Sequence, residues 1–266
     1  MRTAIHFGDE ELMDGLDITA TEFYEKLRNS DVVPSTSAPT YGVIGDVIEG
    51  FKKEGCTDCI LFTISTGLST YGTNLEQVKD ELFSGINVHV FDSSTACIME
   101  GYQAHYAEIL AEKGFEVSEI LSECEKLKHN TNSYFVVDDL KYLVKNGRLS
   151  QVSGFIGSLV QIKPILNLGN VDKIITFDKV RTKKAAIEKS IQLVIDEAKN
   201  FKKVIYVVLH TGLEEEALRY AEYLKDKVNN AFRIETTTIT PTVGAHIGAG
   251  IIGVCRIILD DLKAEL

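Results

Sequence analysis

The first half of the chain alternates short apolar runs with segments of helical periodicity. Continuous apolar runs at residues 59–65 and 86–92 predict two buried strands. The spacing of apolar positions predicts five helices around them, at about residues 19–28, 38–54, 68–83, 95–113 and 117–128. The first of these helices opens with a capping box between Thr19 and Glu22. Alternating strands and helices predict a parallel α/β layer.

The second half has a different order of elements. Strand-like runs lie at residues 133–139, 162–168, 172–180, 203–211 and 233–239, with helices at about 182–200 and 214–229. The dipeptide Gly169-Asn170 follows the second run and is typical of a hairpin, so we expect a mixed sheet. The polar stretch at 128–132 predicts a boundary between an N-terminal domain, residues 1–130, and a C-terminal domain, residues 131–266.

Composition indicates a globular protein, since 44% of the 266 residues are apolar and 25% are charged. No apolar run reaches the ~18 residues that span a bilayer, so stable membrane insertion is not expected. The N-terminus lacks the apolar segment of a secretory signal, and an odd number of cysteines, five, argues against a disulfide scaffold. We therefore expect a cytoplasmic protein.

The charge is unevenly distributed along the chain. The whole sequence carries a formal net charge of −11, which makes nucleic acid an unlikely ligand. Residues 141–203 nevertheless contain 13 Lys/Arg and 5 Asp/Glu, a net charge of +8. Two interpretations remain open for this basic segment: a solvated, lysine-rich helix face, or a surface that meets an anionic ligand or an acidic partner.

Hydroxyl side chains cluster at two predicted helix starts. Ser65, Thr66 and Ser69 follow a buried strand, where the free N–H groups of the next helix favour an anion. Thr36 and Ser37 precede another helix, for which Ser37 is the expected N-cap. The alternative for each group is plain helix capping. Two hydroxyl-rich starts on one α/β layer could converge on a single carboxylate or phosphate.

Three further residues carry candidate chemistry. His246 stands among the glycines of residues 242–250 and could donate to a bound carboxylate, act as a base, or be purely structural. Arg148 follows a short helix and Gly147, and Arg181 precedes a long one. Each arginine could cap carbonyl groups or contact a phosphate or a partner protein.

Several motifs are absent from the sequence. There is no phosphate-binding Gly-x-x-x-x-Gly-Lys loop, no Gly-x-Gly-x-x-Gly turn directly after a predicted strand and no Gly-x-Ser-x-Gly nucleophile elbow. Cys56 and Cys59 have the spacing of a metal-binding pair, but no second pair accompanies them. We therefore expect no metal, no cofactor and no catalytic machinery of the chain's own.

Taken in order, motifs along nearly the whole chain resemble the DegV family. Those similar to its first domain are Ser-Thr-Ser-Ala-Pro-Thr at 35–40, Ile-Ser-Thr-Gly-Leu-Ser at 64–69 and Val-Phe-Asp-Ser at 90–93. Those similar to its second lie at 134–149, 162–166, 179–185 and 244–250, the last being Gly-Ala-His-Ile-Gly-Ala-Gly. The resemblance implies a two-domain α/β fold, with a parallel N-terminal layer, a mixed C-terminal sheet and a ligand between them.

The resemblance also implies a function. Family members are bacterial fatty-acid-binding proteins, and some present the bound acid to a separate ATP-dependent kinase that makes the acyl phosphate. By this resemblance the carboxylate would be held by the serine, threonine and histidine side chains, and the acyl chain would lie in an apolar tunnel. The residues carried over to the carboxylate are Thr36, Ser37, Ser65, Thr66, Ser69 and His246. Arg148 and Arg181 would face the kinase, and the fatty acid would be the only ligand.

The sequence departs from the family pattern at two places. Members usually begin with a strand and an Asp-Ser-Thr loop ahead of the counterpart of residues 14–18, and this chain starts after that unit. We expect either a longer gene product or a domain with one strand–helix unit fewer and an exposed sheet edge. In addition, Thr70-Tyr71-Gly72 stands where the family has Gly-Thr-Tyr, which alters the turn beside Thr70.

Two alternatives to the fatty-acid carrier remain open. One is an enzyme acting on a small acid or ester, with His246 as base and Ser65 or Ser69 as nucleophile. Such a Ser–His pair needs an orienting acid, and the sequence does not identify one. The other is a family member that has lost ligand binding.

Overall fold

The computed structural model describes residues 1–138, 140–149, 162–169 and 173–266. The strands are β1 Ala4–Phe7, β2 Glu10–Met13, β3 Ser35–Ser37, β4 Asp58–Thr63, β5 Asn87–Asp92, β6 Thr131–Val136, β7 Lys163–Leu168, β8 Ile175–Val180, β9 Val204–His210, β10 Ala231–Thr238 and β11 Ile252–Ile258. The helices are α1 Ala20–Arg28, α2 Tyr41–Lys53, α3 Tyr71–Leu82, α4 Ile98–Glu112, α5 Val117–His129, α6 Lys141–Lys145, α7 Lys183–Ala198, α8 Glu214–Lys225 and α9 Pro241–Ile247. The α/β class predicted from the sequence is confirmed.

A small antiparallel sheet, in the order β2-β1-β3, occupies the N-terminal part of the chain. Ile5 on the central strand pairs with Leu12 on one side and with Thr36 on the other. The sequence pattern did not predict these strands, because each has only three or four residues and two of them are largely polar. The sheet packs through Ile5 and Phe7 against α1, which begins with the expected capping box of Thr19 and Glu22.

Strands β4 and β5 form a parallel pair, as predicted. Their apolar side chains pack with Ile44 and Ile48 of α2 and Leu75 of α3. Among the described residues β4 has β5 as its one strand partner, so its other edge is unpaired. The carboxyl end of the pair leads into residues 64–70, which precede α3.

A six-stranded mixed sheet in the order β10-β9-β11-β6-β7-β8 forms the largest layer. Strands β9 and β10 are parallel, and the other neighbours are antiparallel, including the predicted β7–β8 pair. Asn170 of the predicted hairpin turn lies outside the described residues. The sequence pattern missed β11 in the middle of the sheet. All seven of its residues are buried, so it lacks the alternation that marks a half-exposed strand, and Gly253 and Arg256 interrupt the apolar run that marks a buried one.

Helices cover both faces of the large sheet. One face packs against α7 and α8 through residues such as Ile191 and Leu224. The other face packs against α4 and α5 through Tyr102, Tyr106 and Leu127. None of the helices in the described ranges is long and apolar enough to cross a membrane.

Two local predictions were wrong. Ser37 does not cap α2, because Thr36 and Ser37 belong to β3, where the backbone pairs with β1. The N-cap of α2 is Thr40, one residue after Pro39. Helix α3 begins at Tyr71, so Ser69 lies in the preceding turn. The division at residues 130 and 131 stays a prediction.

Candidate functional site

A cavity of about 540 Å³ lies between the large sheet and the N-terminal elements. Its walls come from β3, β4, the turn before α3, the start of α4, the α9 helix and the face of the sheet that α4 covers. Apolar wall residues include Leu61, Phe62, Leu168, Leu209 and Ile239. Polar wall residues include Thr36, Ser69, Thr70, Glu100, Arg148 and His246. The volume falls within the range of about 300–1,000 Å³ typical of small-molecule sites.

Thr36 and His246 meet in the wall of this cavity. The Thr36 hydroxyl Oγ1 and the His246 ring nitrogen Nε2 share a hydrogen bond of 2.8 Å. Thr36 comes from strand β3 and His246 from helix α9, an element that the sequence pattern did not predict. The structure therefore brings together two of the residues selected from the sequence.

The second ring nitrogen of His246 is buried and has no hydrogen-bond partner among the described residues. Burial, together with the nearby positive charge of Arg148, lowers the pKa of His246 to about 4. The ring is therefore neutral at pH 7. Since a buried polar atom without a partner is costly, Nδ1 is a ready contact for a polar ligand group.

Helix α9 is held against the N-terminal part of the chain at two further points. The carboxylate of Asp14 accepts hydrogen bonds from the backbone N–H of Thr242, at 2.9 Å, and from its hydroxyl, at 2.5 Å. Gly244 packs so closely against Phe23 and Tyr24 of α1 that an added Cβ would lie 2.5 Å from the Tyr24 hydroxyl. Thr242 and His246 are four residues apart, so Asp14, directly after β2, and Thr36 of β3 contact the same face of the helix.

Arg148 extends along the cavity wall from the turn after α6. Its Nε donates to the carbonyl of Leu68 at 3.2 Å, and its Nη1 donates to the carbonyl of Asn146. Gly147, with φ +68°, lets the chain reverse after the helix and directs Arg148 toward the cavity. The carbonyl contacts predicted for Arg148 are present, and its charge lies next to His246.

The hydroxyls of the turn before α3 have different surroundings. Ser69 and Thr70 line the cavity, and the Ser69 Oγ accepts a hydrogen bond from the N–H of Tyr71. Thr66 instead donates its hydroxyl to Asp92 at 2.7 Å. Ser65 is fully buried and, like Thr66, does not line the cavity. Of the three candidate residues Ser65, Thr66 and Ser69, Ser69 is the one that lines the cavity, where a ligand could reach it.

Ser37 and Arg181 also lie away from the cavity wall. The Ser37 hydroxyl shares a hydrogen bond of 2.7 Å with His6 on the exposed side of the small sheet. Arg181 is exposed immediately before α7. Alternation along β3 explains the first case, because consecutive strand residues point to opposite faces.

Sequence reasoning missed Glu100, an acidic residue in the cavity wall. It lies in the first turn of α4, where an acidic residue looks like ordinary helix stabilisation. Burial, together with the charge of Asp92, raises the pKa of Glu100 from its ordinary value of 4.5 to about 7. The preceding Cys97 also lines the cavity and has a φ of +62°, a left-handed backbone conformation that is rare for a residue with a side chain.

Within the described ranges, no group of three or more His, Cys, Asp or Glu side chains could hold a metal ion. His246 also has no carboxylate on Nδ1, the contact that orients the histidine of a Ser–His–Asp triad. The site therefore consists of a neutral histidine, hydroxyl groups, one arginine and the carboxyl of Glu100 beside an apolar cavity.

Comparison with known proteins extends over most of the chain. The DegV family model matches residues 1–258. A DegV domain-containing protein of Staphylococcus aureus is 34% identical over 238 residues, which cover 89% of this chain and 82% of that protein.

Two solved structures share the fold. The first is that of DegV from Bacillus subtilis, described as a fatty acid binding protein, with a TM-score of 0.86 and 30% identity over 97% of this chain and 90% of that one. The second is that of a fatty acid binding DegV family protein from Streptococcus agalactiae, with a TM-score of 0.88 and 24% identity over the same shares. The motifs, the fold and the family match lead to one conclusion: this chain belongs to the DegV family.

Proposed function

We propose that the protein binds one long-chain fatty acid, with the carboxylate beside His246 and the acyl chain in the apolar part of the cavity. The observation that carries this proposal is the buried Nδ1 of His246, which lacks a partner in the wall of that cavity. The solved relative from Bacillus subtilis is described as a fatty acid binding protein, which supports the same ligand class here.

The head group would be bound by neutral donors and one charge. With Nε2 accepting from the Thr36 hydroxyl, the neutral ring carries its proton on Nδ1 and can donate it to a carboxylate oxygen. Arg148 adds a positive charge nearby, and Ser69 and Thr70 add hydroxyl groups. Hydrogen bonds to a charged acceptor are stronger than those between neutral groups.

The acyl chain would supply most of the affinity. Leu61, Phe62, Leu168, Leu209 and Ile239 give the cavity an apolar wall. Burial of roughly 14 methylenes at about 0.8 kcal/mol each gives roughly 11 kcal/mol before the costs of association. A fatty acid would therefore be held firmly without a covalent bond.

We further propose that the bound acid is presented to a separate ATP-dependent fatty-acid kinase. The basic segment of residues 141–203, with a net charge of +8, supports a docking surface for an acidic or nucleotide-bearing partner. Arg181 is exposed within that segment, and Arg148 lies beside the carboxylate site. A fatty-acid kinase subunit should convert the fatty acid bound to this protein and ATP into acyl phosphate and ADP, and Arg181→Ala should slow that reaction without weakening fatty-acid binding.

The alternative of a Ser–His hydrolase has less support. His246 bonds to a threonine rather than a serine, and the candidate nucleophile Ser65 does not line the cavity. Ser69 does line it, but its Oγ accepts a hydrogen bond from the N–H of Tyr71, whereas the described partner of the His246 ring is Thr36.

The test of fatty-acid binding is mass spectrometry of organic extracts from the purified protein. We expect a co-purifying long-chain acid, and a rise in melting temperature when hexadecanoic acid is added to delipidated protein. His246→Ala should reduce that rise, whereas Ser37→Ala should not, because Ser37 lies outside the cavity wall. Absence of any bound acid, combined with no thermal response, would contradict the proposal.

A further inference from the structure

The central strand β11 contains a glycine where its neighbours carry large side chains. Gly253 pairs with Phe135 on β6 and with Leu209 on β9. Its φ angle is not in the left-handed region, so no turn requires a glycine at this position. A glycine inside a strand packs no side chain and often marks a place where another group approaches the backbone.

The cavity reaches β11 at this glycine alone. Cys255 and Ile257, the next residues on the same face of the strand, are fully buried in the apolar core and do not line the cavity. Gly253 does line it, together with Phe135 and Leu209 on either side. The missing side chain is therefore what opens the sheet surface to the cavity.

A side chain at position 253 would occupy that opening. A Cβ added to Gly253 would lie 3.2 Å from the Phe135 Cβ and 3.7 Å from the Leu209 Cβ. A methyl group therefore fits after a small shift of Phe135. Larger groups would extend between these neighbours into the cavity, because side chains stand roughly perpendicular to a sheet.

We propose that the acyl chain crosses the sheet at Gly253, and that the bare backbone there sets the longest chain that the cavity accepts. Ser133, two residues before Phe135 on β6, and its partner Leu168 on β7 also line the cavity, and the chain would reach them over this glycine. The inference rests on the proposed fatty-acid binding and adds its chain-length selectivity. The wild type should prefer long acids, and a side chain at position 253 should shift that preference to shorter acids.

The test is a series of saturated acids, from octanoic to octadecanoic, in competition with a fluorescent fatty acid. Each methylene that can no longer be buried lowers affinity about fourfold. We expect the affinity for octadecanoic acid to fall at least about fourfold in Gly253→Ala and at least about sixteenfold in Gly253→Val. Decanoic acid should bind to both variants as it does to the wild type.

Gly101→Ala is the matched control. Gly101 is exposed on α4, does not line the cavity, and an added Cβ would meet only Ile98, at 3.9 Å. Its binding series should match that of the wild type. Leu209→Ala removes most of the side chain that pairs with Gly253 across the sheet, so it should widen the cavity and favour longer acids. This variant tests the proposal even where Gly253→Val does not fold.

The outcomes separate the two proposals. A wild-type protein that binds none of the acids overturns the proposed function itself. A wild-type protein that binds them, while folded Gly253→Ala and Leu209→Ala keep the same chain-length preference, overturns only the role of Gly253. Melting curves of each variant identify those that are folded.

Discussion

Thr36 and His246 are 210 positions apart in the sequence, and their side chains share a hydrogen bond of 2.8 Å. Strand β3 supplies the threonine and helix α9 supplies the histidine. The bond occupies Nε2 and leaves the buried Nδ1 as the free ring atom at the cavity. The N-terminal and C-terminal parts of the chain thus complete one site, and each part alone would lack half of it.

Replacement of Thr36 by valine tests this relationship. Thr36→Val keeps the shape of the side chain but removes the hydroxyl, so Nε2 loses its partner and the ring is no longer held in one orientation. We expect the affinity for hexadecanoic acid to fall about tenfold, as for the loss of one buried hydrogen bond. Isothermal titration calorimetry measures the change.

Ser37→Ala is the control for that variant, because the neighbouring hydroxyl on β3 bonds to His6 and not to the cavity. Its affinity should equal that of the wild type. Equal losses in both variants would show that β3 acts only through stability and that the Thr36 hydroxyl has no specific role.

Glu100 should make ligand binding depend on pH. Burial and Asp92 raise its pKa to about 7, so the carboxyl is largely neutral at pH 6 and ionised at pH 8. Above pH 7 the cavity wall gains a negative charge that opposes a fatty-acid carboxylate. We expect affinity to fall as the pH rises from about 6 to about 8 in the wild type and to change little in Glu100→Gln.

The carboxyl group of Glu100 should also make the free energy of unfolding depend on pH. Its folded pKa of about 7 lies above the ordinary value of 4.5, so the folded protein retains a proton that the unfolded chain releases. The free energy of unfolding should therefore fall as the pH rises from about 4.5 to about 7, by up to about 3 kcal/mol in total. Urea titrations should show Glu100→Gln without this loss, whereas Glu112→Gln, exposed on the same helix, should behave like the wild type.

Asp14 should stabilise helix α9 from the N-terminal sheet. Asp14→Ala removes both hydrogen bonds to Thr242 and a negative charge near the start of the helix. We expect the free energy of unfolding to fall by about 0.5–2 kcal/mol, as for loss of a helix cap, and fatty-acid affinity to fall with it. Asp9→Ala, in the exposed hairpin turn, is the control, and an equal effect there would contradict the assignment.

Two helical glycines should respond oppositely to alanine. Gly244→Ala places a Cβ 2.5 Å from the Tyr24 hydroxyl and 2.9 Å from the Phe23 ring, so overpacking should cost about 1–3 kcal/mol. Gly50→Ala adds its Cβ in open space on α2 and should stabilise by up to about 1 kcal/mol. Thermal melts compare the two, and a stable Gly244→Ala would show that α1 and α9 can separate without cost.

Local signals in the sequence predicted much of the fold. The capping box of Thr19 and Glu22, the parallel β4–β5 pair and the antiparallel β7–β8 pair are all present. The central strand β11 was missed, because Gly253 and Arg256 interrupt the apolar run that marks a buried strand. Strand β3 was read as a helix start, because three hydroxyl-rich residues carry capping signals whether or not β1 pairs with them.

The sequence by itself determined the family motifs, the order of most strands and helices, and the candidate roles of Thr36, Ser69 and His246. Only the tertiary structure separated these residues from Ser37, Ser65 and Thr66, which have the same hydroxyl chemistry but lie outside the cavity wall. The reason is physical: which face a strand residue presents and whether its hydroxyl already has a partner depend on distant pairing. Ser37 bonds to His6 and Thr66 bonds to Asp92, and neither contact can be read from local spacing.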